Sequence, residues 1–171
     1  MMFLKKNNKP SNNFQNSGND FVDLHIHTNY SDGILSPQEV VEKAIKIGLR
    51  AISITDHDCV GGISSAIEAA KGTLLEIIPG VEISSVKEET EIHLLGYFID
   101  HKDPDLLKML EDLRKGRIER MKRIISLLNE HNVPIRDEDV FGTKLTGTVG
   151  RLYLARLMVE KKNGSGHERG F

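Results

Sequence analysis

Between Phe21 and Ile99 the hydrophobic period switches in a regular succession, and that succession constrains the fold more than any other feature of the chain. Phe21 to Thr28 alternates, with Val22, Leu24 and Ile26 on one side and Asp23, His25 and His27 on the other. This is a strand whose polar face carries two imidazoles. Ser36-Pro37-Gln38-Glu39 then reads as a capping box with proline at the first helical position. Val40, Val41, Ala44 and Ile45 form the apolar face of that helix, and Gly48 ends it. A second strand is expected over Leu49–Thr55, and a short helix after Gly61-Gly62 with Ile63, Ile67 and Ala70 on one side. A third strand, Leu74–Ile78, is expected to turn at Pro79-Gly80 into Val81-Glu82-Ile83, and a fourth to cover Glu91–Ile99. Strands alternating with helices imply right-handed crossovers, a parallel sheet and a barrel-like α/β fold.

After Asp100 the period becomes purely helical. Leu106, Leu110, Leu113, Arg117, Met121, Ile124 and Leu128 predict one long helix, or a pair broken at Gly116. His131-Asn132-Val133-Pro134 ends it, and a last helix is expected over Val149–Lys162. The expected organisation is a disordered leader over 1–20, rich in Asn, Lys and Ser, sheet and helices over 21–102, a helical insertion over 103–162 and an irregular tail over 163–171.

Bulk properties exclude several functions. The 171 residues suffice for one domain with a core, and the net charge of −2 draws the chain to neither nucleic acid nor membrane. With no Trp and 5% aromatic residues, a broad stacking platform for bases is not expected. No apolar run approaches the roughly 20 residues of a membrane span. Cys59 is the single cysteine, which excludes an intrachain disulfide and fits a cytoplasmic location.

The chemistry lies in short blocks. His25 and His27, two apart on a strand, share a face and can reach one metal, although two incidental histidines would read the same. Asp32, in Ser31-Asp32-Gly33, is a further ligand or a backbone cap. Thr55-Asp56-His57-Asp58 follows a strand, where parallel α/β folds bind ligands; Asp56 and Asp58 read equally well as caps. Glu82 follows the Pro79-Gly80 turn and is either a bridging carboxylate or a surface glutamate. His93 lies inside an apolar strand, as a ligand or a core histidine. Each block alone is weak; four successive strands each offering a ligand-type residue make a stronger case.

These blocks, in this order and with His93-Leu94-Leu95-Gly96-Tyr97 as the last, resemble the successive motifs of the PHP (polymerase and histidinol phosphatase) family over about residues 21–100. The later helices, with Gly150-Arg151 and Ala155-Arg156-Leu157, resemble the insertion of the branch containing nucleoside 3′,5′-bisphosphate phosphatases and 5′-3′ exoribonucleases. The resemblance implies an α/β fold, a partial distorted (β/α)7 barrel with a helical insertion. It implies up to three divalent cations: one on His25, His27 and Glu82, a second on Glu82 and His93, and a third on Asp32 and His57. Manganese is expected first, with zinc, iron or magnesium as alternatives. A metal-bound hydroxide, held near Glu82 and His93, would attack a phosphate ester of a nucleotide or short RNA, with no covalent protein nucleophile. Arg117, on the apolar stripe of the long helix, either snorkels to water or faces the cleft as a phosphate clamp. Arg120 and Arg151 are further phosphate-binding candidates. No membrane association and no stable protein partner are expected.

The family pattern continues with a later histidine strand and an Asp-x-His pair, which are not found before Phe171. A truncated product is therefore expected, and a catalytically inactive metal-binding fragment is the alternative reading. A histidinol-phosphatase-like enzyme is a further alternative.

Overall fold

The computed structural model describes residues 21–88, 90–142 and 147–164; the expected leader, and all but the start of the expected tail, lie outside them. The element order is β1 (Val22–Ile26), α1 (Pro37–Ile47), β2 (Ala51–Ile54), α2 (Ile63–Ala69), β3 (Glu76–Lys87), β4 (Thr90–Tyr97), α3 (Pro104–Glu130), α4 (Asp137–Phe141) and α5 (Arg151–Gly164). The sheet order is β1-β2-β3-β4. With the helices it forms a partial α/β barrel.

α1 begins and ends as its sequence dictates. The Ser36 side chain accepts from the Glu39 N–H while Glu39 accepts from the Ser36 N–H, and Gly48 closes the helix at φ 79°. Val40, Val41 and Ala44 face the sheet and join Ile52, Ile54, Ala66, Ala70 and Leu75 in one core. α2 divides its faces, because Ile63 joins Val60, Val81 and Leu110 in a second core.

Two strand expectations need correction. β3 does not turn at Pro79-Gly80; it runs on to Lys87 and exchanges partners there. Glu76 to Pro79 pairs parallel with β2, and Gly80 to Lys87 pairs antiparallel with β4. Proline has no N–H to give the ladder, and here it sits at the last register position of the parallel pair. Gly80 is required by close approach, since an added Cβ would overlap the Ser53 hydroxyl and lie 2.9 Å from Thr55 Cγ2. The sheet is therefore mixed. β4 returns through a two-residue connection between the paired Lys87 and Thr90, with Glu88 at φ 50°.

α3 is one unbroken helix of 27 residues, about 40 Å long. Gly116 lies within it with open space around its Cα, so nothing forces a break. Asp103 caps it, accepting from the Leu106 N–H at 2.8 Å. Its first half packs Leu110 on Val60, Ile63 and Val81. Its second half packs Met121 and Ile125 on Ile135, Val140, Val149 and Leu154, a third core shared with α4 and α5. The short α4 escaped the sequence reading, having only Val140 as a buried anchor. No helix of the described residues is long and apolar enough to cross a membrane.

Gly80→Ala should lower stability by about 1–3 kcal/mol, the usual cost of forcing atoms into a packed site. The check is a shift in urea midpoint at unchanged m-value. An unaltered midpoint would show that the partner exchange at Gly80 does not require a bare Cα.

Candidate metal centre

The centre is built around the exchange point of β3. Beyond Ile54 the chain from β2 continues alongside β3: the Asp58 N–H donates to the Glu82 carbonyl at 2.9 Å, and His57 and Glu82 form a parallel bridge. This pairing sets the His57 ring beside the Glu82 carboxylate. β1 brings His25 and His27 from one side, and the hairpin brings His93 from the other, through the Ser84–His93 register pair.

Glu82 is the hub. His25 Nε2 and His27 Nε2 each lie 3.0 Å from Oε2, and they lie 3.0 Å from one another. His93 Nδ1 lies 2.7 Å from Oε1. His57 Nδ1 is buried without a hydrogen-bond partner and faces Oε2 at 3.5 Å. Asp32 Oδ1 is 3.2 Å from His27 Nδ1, and its Oδ2 is 3.8 Å from His57 Nε2. Three triads follow: His25, His27 and Glu82; His27, Asp32 and His57; and His57, Glu82 and His93. Within each, the ligand atoms lie within 4.8 Å of one another.

The donor set fits divalent cations. Ligands at right angles on a cation, each about 2.1 Å from it, stand about 3.0 Å apart, and the first triad has that spacing. Imidazole nitrogens aimed at one another across a buried carboxylate are poorly placed without a positive centre. Mixed imidazole and carboxylate donors suit manganese, iron or zinc.

Electrostatics support the assembly. Burial alone would lower the His27 pKa, but Asp32 accepting its proton, with the charges of Asp32 and Glu82, raises it above the usual value. That same hydrogen bond from His27 holds Asp32 down at about 2, against the opposing effect of burial. Burial pushes His57 down. Glu82 lies below the ordinary carboxyl range, because its imidazole partners outweigh its burial. Burial raises the Cys59 thiol, which disfavours the thiolate.

The surrounding residues explain the placement. Asp56 is fully buried and accepts from the Thr28 N–H at 2.7 Å, the Thr28 hydroxyl at 2.6 Å and the Ser31 hydroxyl at 2.6 Å. It fixes the loop that presents His27 and Asp32, a role that differs from the expected cap on the next segment. Asp58, at φ 48°, accepts from the Ser84 N–H at 2.8 Å and from Arg117 Nε. Arg117 also donates to the Ser84 hydroxyl. It neither snorkels nor stands free in the cleft: its side chain and that of Asp58 are buried, and it ties α3 to β3. Arg120 and Arg151 reach Glu91 instead, at 3.4 and 2.7 Å. Glu91 is held below the ordinary carboxyl range despite some desolvation, by His93 and these two guanidiniums.

The segment before α5 also supports the site. The Thr148 N–H donates to the Tyr30 carbonyl and its hydroxyl to the His57 carbonyl, both at 2.8 Å. Arg156 donates to the Asp32 carbonyl at 2.6 Å. Gly147 passes so close to Tyr30 that a Cβ would overlap its carbonyl. None of these contacts was legible beforehand; the signal, Thr-Gly-Thr-Val-Gly-Arg over 146–151, marks a tight passage without naming its partner.

A family model described as the PHP domain matches residues 23–153. The chain belongs to the PHP domain family. A 5′-3′ exoribonuclease of Salmonella typhimurium is 37% identical over 140 residues, 81% of this chain and 48% of that protein. A 3′,5′-nucleoside bisphosphate phosphatase of Chromobacterium violaceum is 37% identical over 103 residues, 60% of this chain and 36% of its own length. A solved structure from Bifidobacterium adolescentis superposes with a TM-score of 0.75 at 32% identity, over 83% of this chain and 50% of that one. The chain thus spans about half the length of these PHP proteins, or less.

The site predicts opposite pH responses with and without metal. In the metal-free protein the raised His27 pKa contributes stability that is complete below its unfolded value and is lost as pH rises through the folded value. The depressed Asp32 contributes above its unfolded value, and that part is lost as pH falls towards about 2. Metal requires neutral imidazole, so the rise in melting temperature on adding manganese should grow from about pH 6 to about pH 8. Differential scanning fluorimetry at the two pH values checks this; a shift independent of pH would show that no imidazole of the cluster binds the metal.

Proposed function

We propose that the cluster binds up to three divalent cations, manganese first among them, and serves the hydrolysis of phosphate esters in nucleotides or short RNA. The observation that carries the reading is the convergence of four imidazoles on one buried carboxylate, with Asp32 against the far side of two of them. In this reading His25, His27 and Glu82 hold one cation, Glu82 and His93 a second, and Asp32 and His57 a third. Divalent cations supply activated water at neutral pH and neutralise charge on phosphoryl oxygens. The chain's own groups do the rest. Asp56 fixes the Thr28–Ser31 loop and therefore the aim of His27 and Asp32. The Arg117–Asp58 pair holds the turn that carries His57. Arg120 and Arg151, half-exposed to exposed beside His93, are the guanidiniums positioned to meet a substrate phosphate.

The substrate class takes its support from the relatives, which include a bisphosphate phosphatase and an exoribonuclease. The partner this reading implies is a small phosphorylated substrate, a nucleotide or short RNA.

The 171-residue chain, loaded with manganese, should bind metal and hydrolyse a generic aryl phosphate. Glu82→Gln should lower metal affinity at least about 10- to 100-fold and abolish turnover. Metal analysis and phosphate release check the two halves separately. Metal bound without turnover would leave a metal-binding module and refute hydrolysis by this chain; no metal bound would refute the site.

A further inference from the structure

A cleft of about 390 Å³ lies outside the metal cluster, between α2 and the first half of α3. The turn that follows His57 forms one wall, through Asp58, Cys59, Val60 and Gly61. Four donor groups from three parts of the chain meet there. Ser64 comes from α2, Arg114 from α3, and His101 and Lys102 from the link between β4 and α3. His101 Nε2 lies 3.0 Å from Ser64 Oγ. The metal cluster uses none of the four.

We propose that this cleft is a second anion site, which takes a small phosphate monoester: the phosphate on Lys102, Arg114 and Ser64, and the apolar body on Val60, Leu107 and Leu110. The site stands on these residues alone and does not depend on hydrolysis at the metal cluster.

The charges around the cleft set the sign of the ligand. Asp58 contributes no free charge, since its carboxylate is paired with Arg117 and accepts from the Ser84 N–H. Among the described residues the Lys102 ammonium has no ion-pair partner. Arg114 Nη1 faces Glu111 Oε2, one turn back on α3, at 3.6 Å. That separation is longer than a hydrogen bond and the two side chains are 44% and 51% exposed, so the pair holds weakly. A guanidinium has five N–H donors, and this one contact leaves most of them for a ligand. Two cations against one carboxylate leave the cleft with an excess positive charge.

The donors set the kind of anion. A planar fork, a point charge and a hydroxyl offer more protons than the two oxygens of a carboxylate can accept, whereas a phosphate monoester has three terminal oxygens. With the imidazole proton on Nε2, His101 donates to Ser64 Oγ, and the hydroxyl keeps its own proton for the ligand. The apolar wall sets the rest of the molecule. Val60 and Leu110 are 7% and 4% exposed and belong to one core, while Leu107 is 43% exposed. Hydrocarbon laid on Leu107 is removed from water, a gain that a bare phosphate ion does not have.

Phenylphosphonate is the probe, because it has the charge and shape of an aryl phosphate and carries no ester bond. Titration calorimetry of the full chain, metal-free, should show it bound, and inorganic phosphate bound more weakly. Lys102→Ala/Arg114→Ala should weaken phenylphosphonate about 10-fold or more, through loss of two charge-assisted contacts. Both side chains lie outside the three cores, so the double variant should remain folded. The single cysteine then locates the ligand, since Cys59 lines the cleft. Phenylphosphonate at about four times its Kd should slow alkylation of Cys59 by N-ethylmaleimide about 5-fold in the parent. The same concentration should protect the double variant far less. No binding, binding that leaves Cys59 unprotected, binding unaffected by loss of Lys102 and Arg114, or inorganic phosphate bound as tightly as phenylphosphonate would overturn the proposal.

Discussion

The structure depends on how a buried carboxylate is compensated. Glu82 is 4% exposed and carries a charge that would be costly to bury alone. Four histidines from three separate stretches surround it, and its low pKa shows that their attraction exceeds the desolvation cost. They cannot all be protonated: burial drives His57 towards the neutral form while Asp32 draws a proton onto His27. A neutral imidazole has one N–H to give the carboxylate and one lone pair left over, so four rings around one carboxylate leave lone pairs that a proton or a cation would satisfy.

Backbone pairing delivers these side chains with little freedom. Asp56 and Asp58 each bind backbone N–H groups across the sheet, one on the β1 loop and one on β3. A carboxylate that accepts several hydrogen bonds fixes the chain on both sides of it, so His57, lying between the two aspartates, inherits its position from both. The segment at Thr148 then closes on the carbonyls of Tyr30 and His57. Side chains from distant parts of the sequence are thus held through the main chain, where error in placement is smallest.

Much of this was readable from residue order, and the failures have identifiable causes. The His25–His27 pair, α1 with its capping box and the helical period of α3 follow from local spacing, which a sequence states directly. The run of β3 through Pro79-Gly80 does not, because proline and glycine normally announce a turn. What overrides them is tertiary: the parallel partner stops at Ile54 and an antiparallel one begins. The hairpin is hidden for a related reason, since Lys87-Glu88-Glu89-Thr90 carries no glycine or asparagine to mark a reversal. His93 therefore reaches the hub along an antiparallel return and not from a parallel strand end. Asp56 and Asp58 were visible as acids, but their partners lie 25 or more residues away, beyond the range of any local pattern.

The arginines show why position on a helix stripe is insufficient to assign a role. Arg117, Arg120 and Arg151 are the same residue type near the same centre, yet solvent divides them. Arg117 falls between the two cores that α3 joins, and with Asp58 and Ser84 it satisfies a buried junction. A buried ion pair of this sort resists loss of either partner because the remaining charge is left without water. Arg120 and Arg151 stand where water can replace Glu91 at little cost, so their pairing is provisional in a way that the Arg117 pairing is not. The protein thereby keeps one guanidinium for its architecture and leaves two with exchangeable partners next to His93.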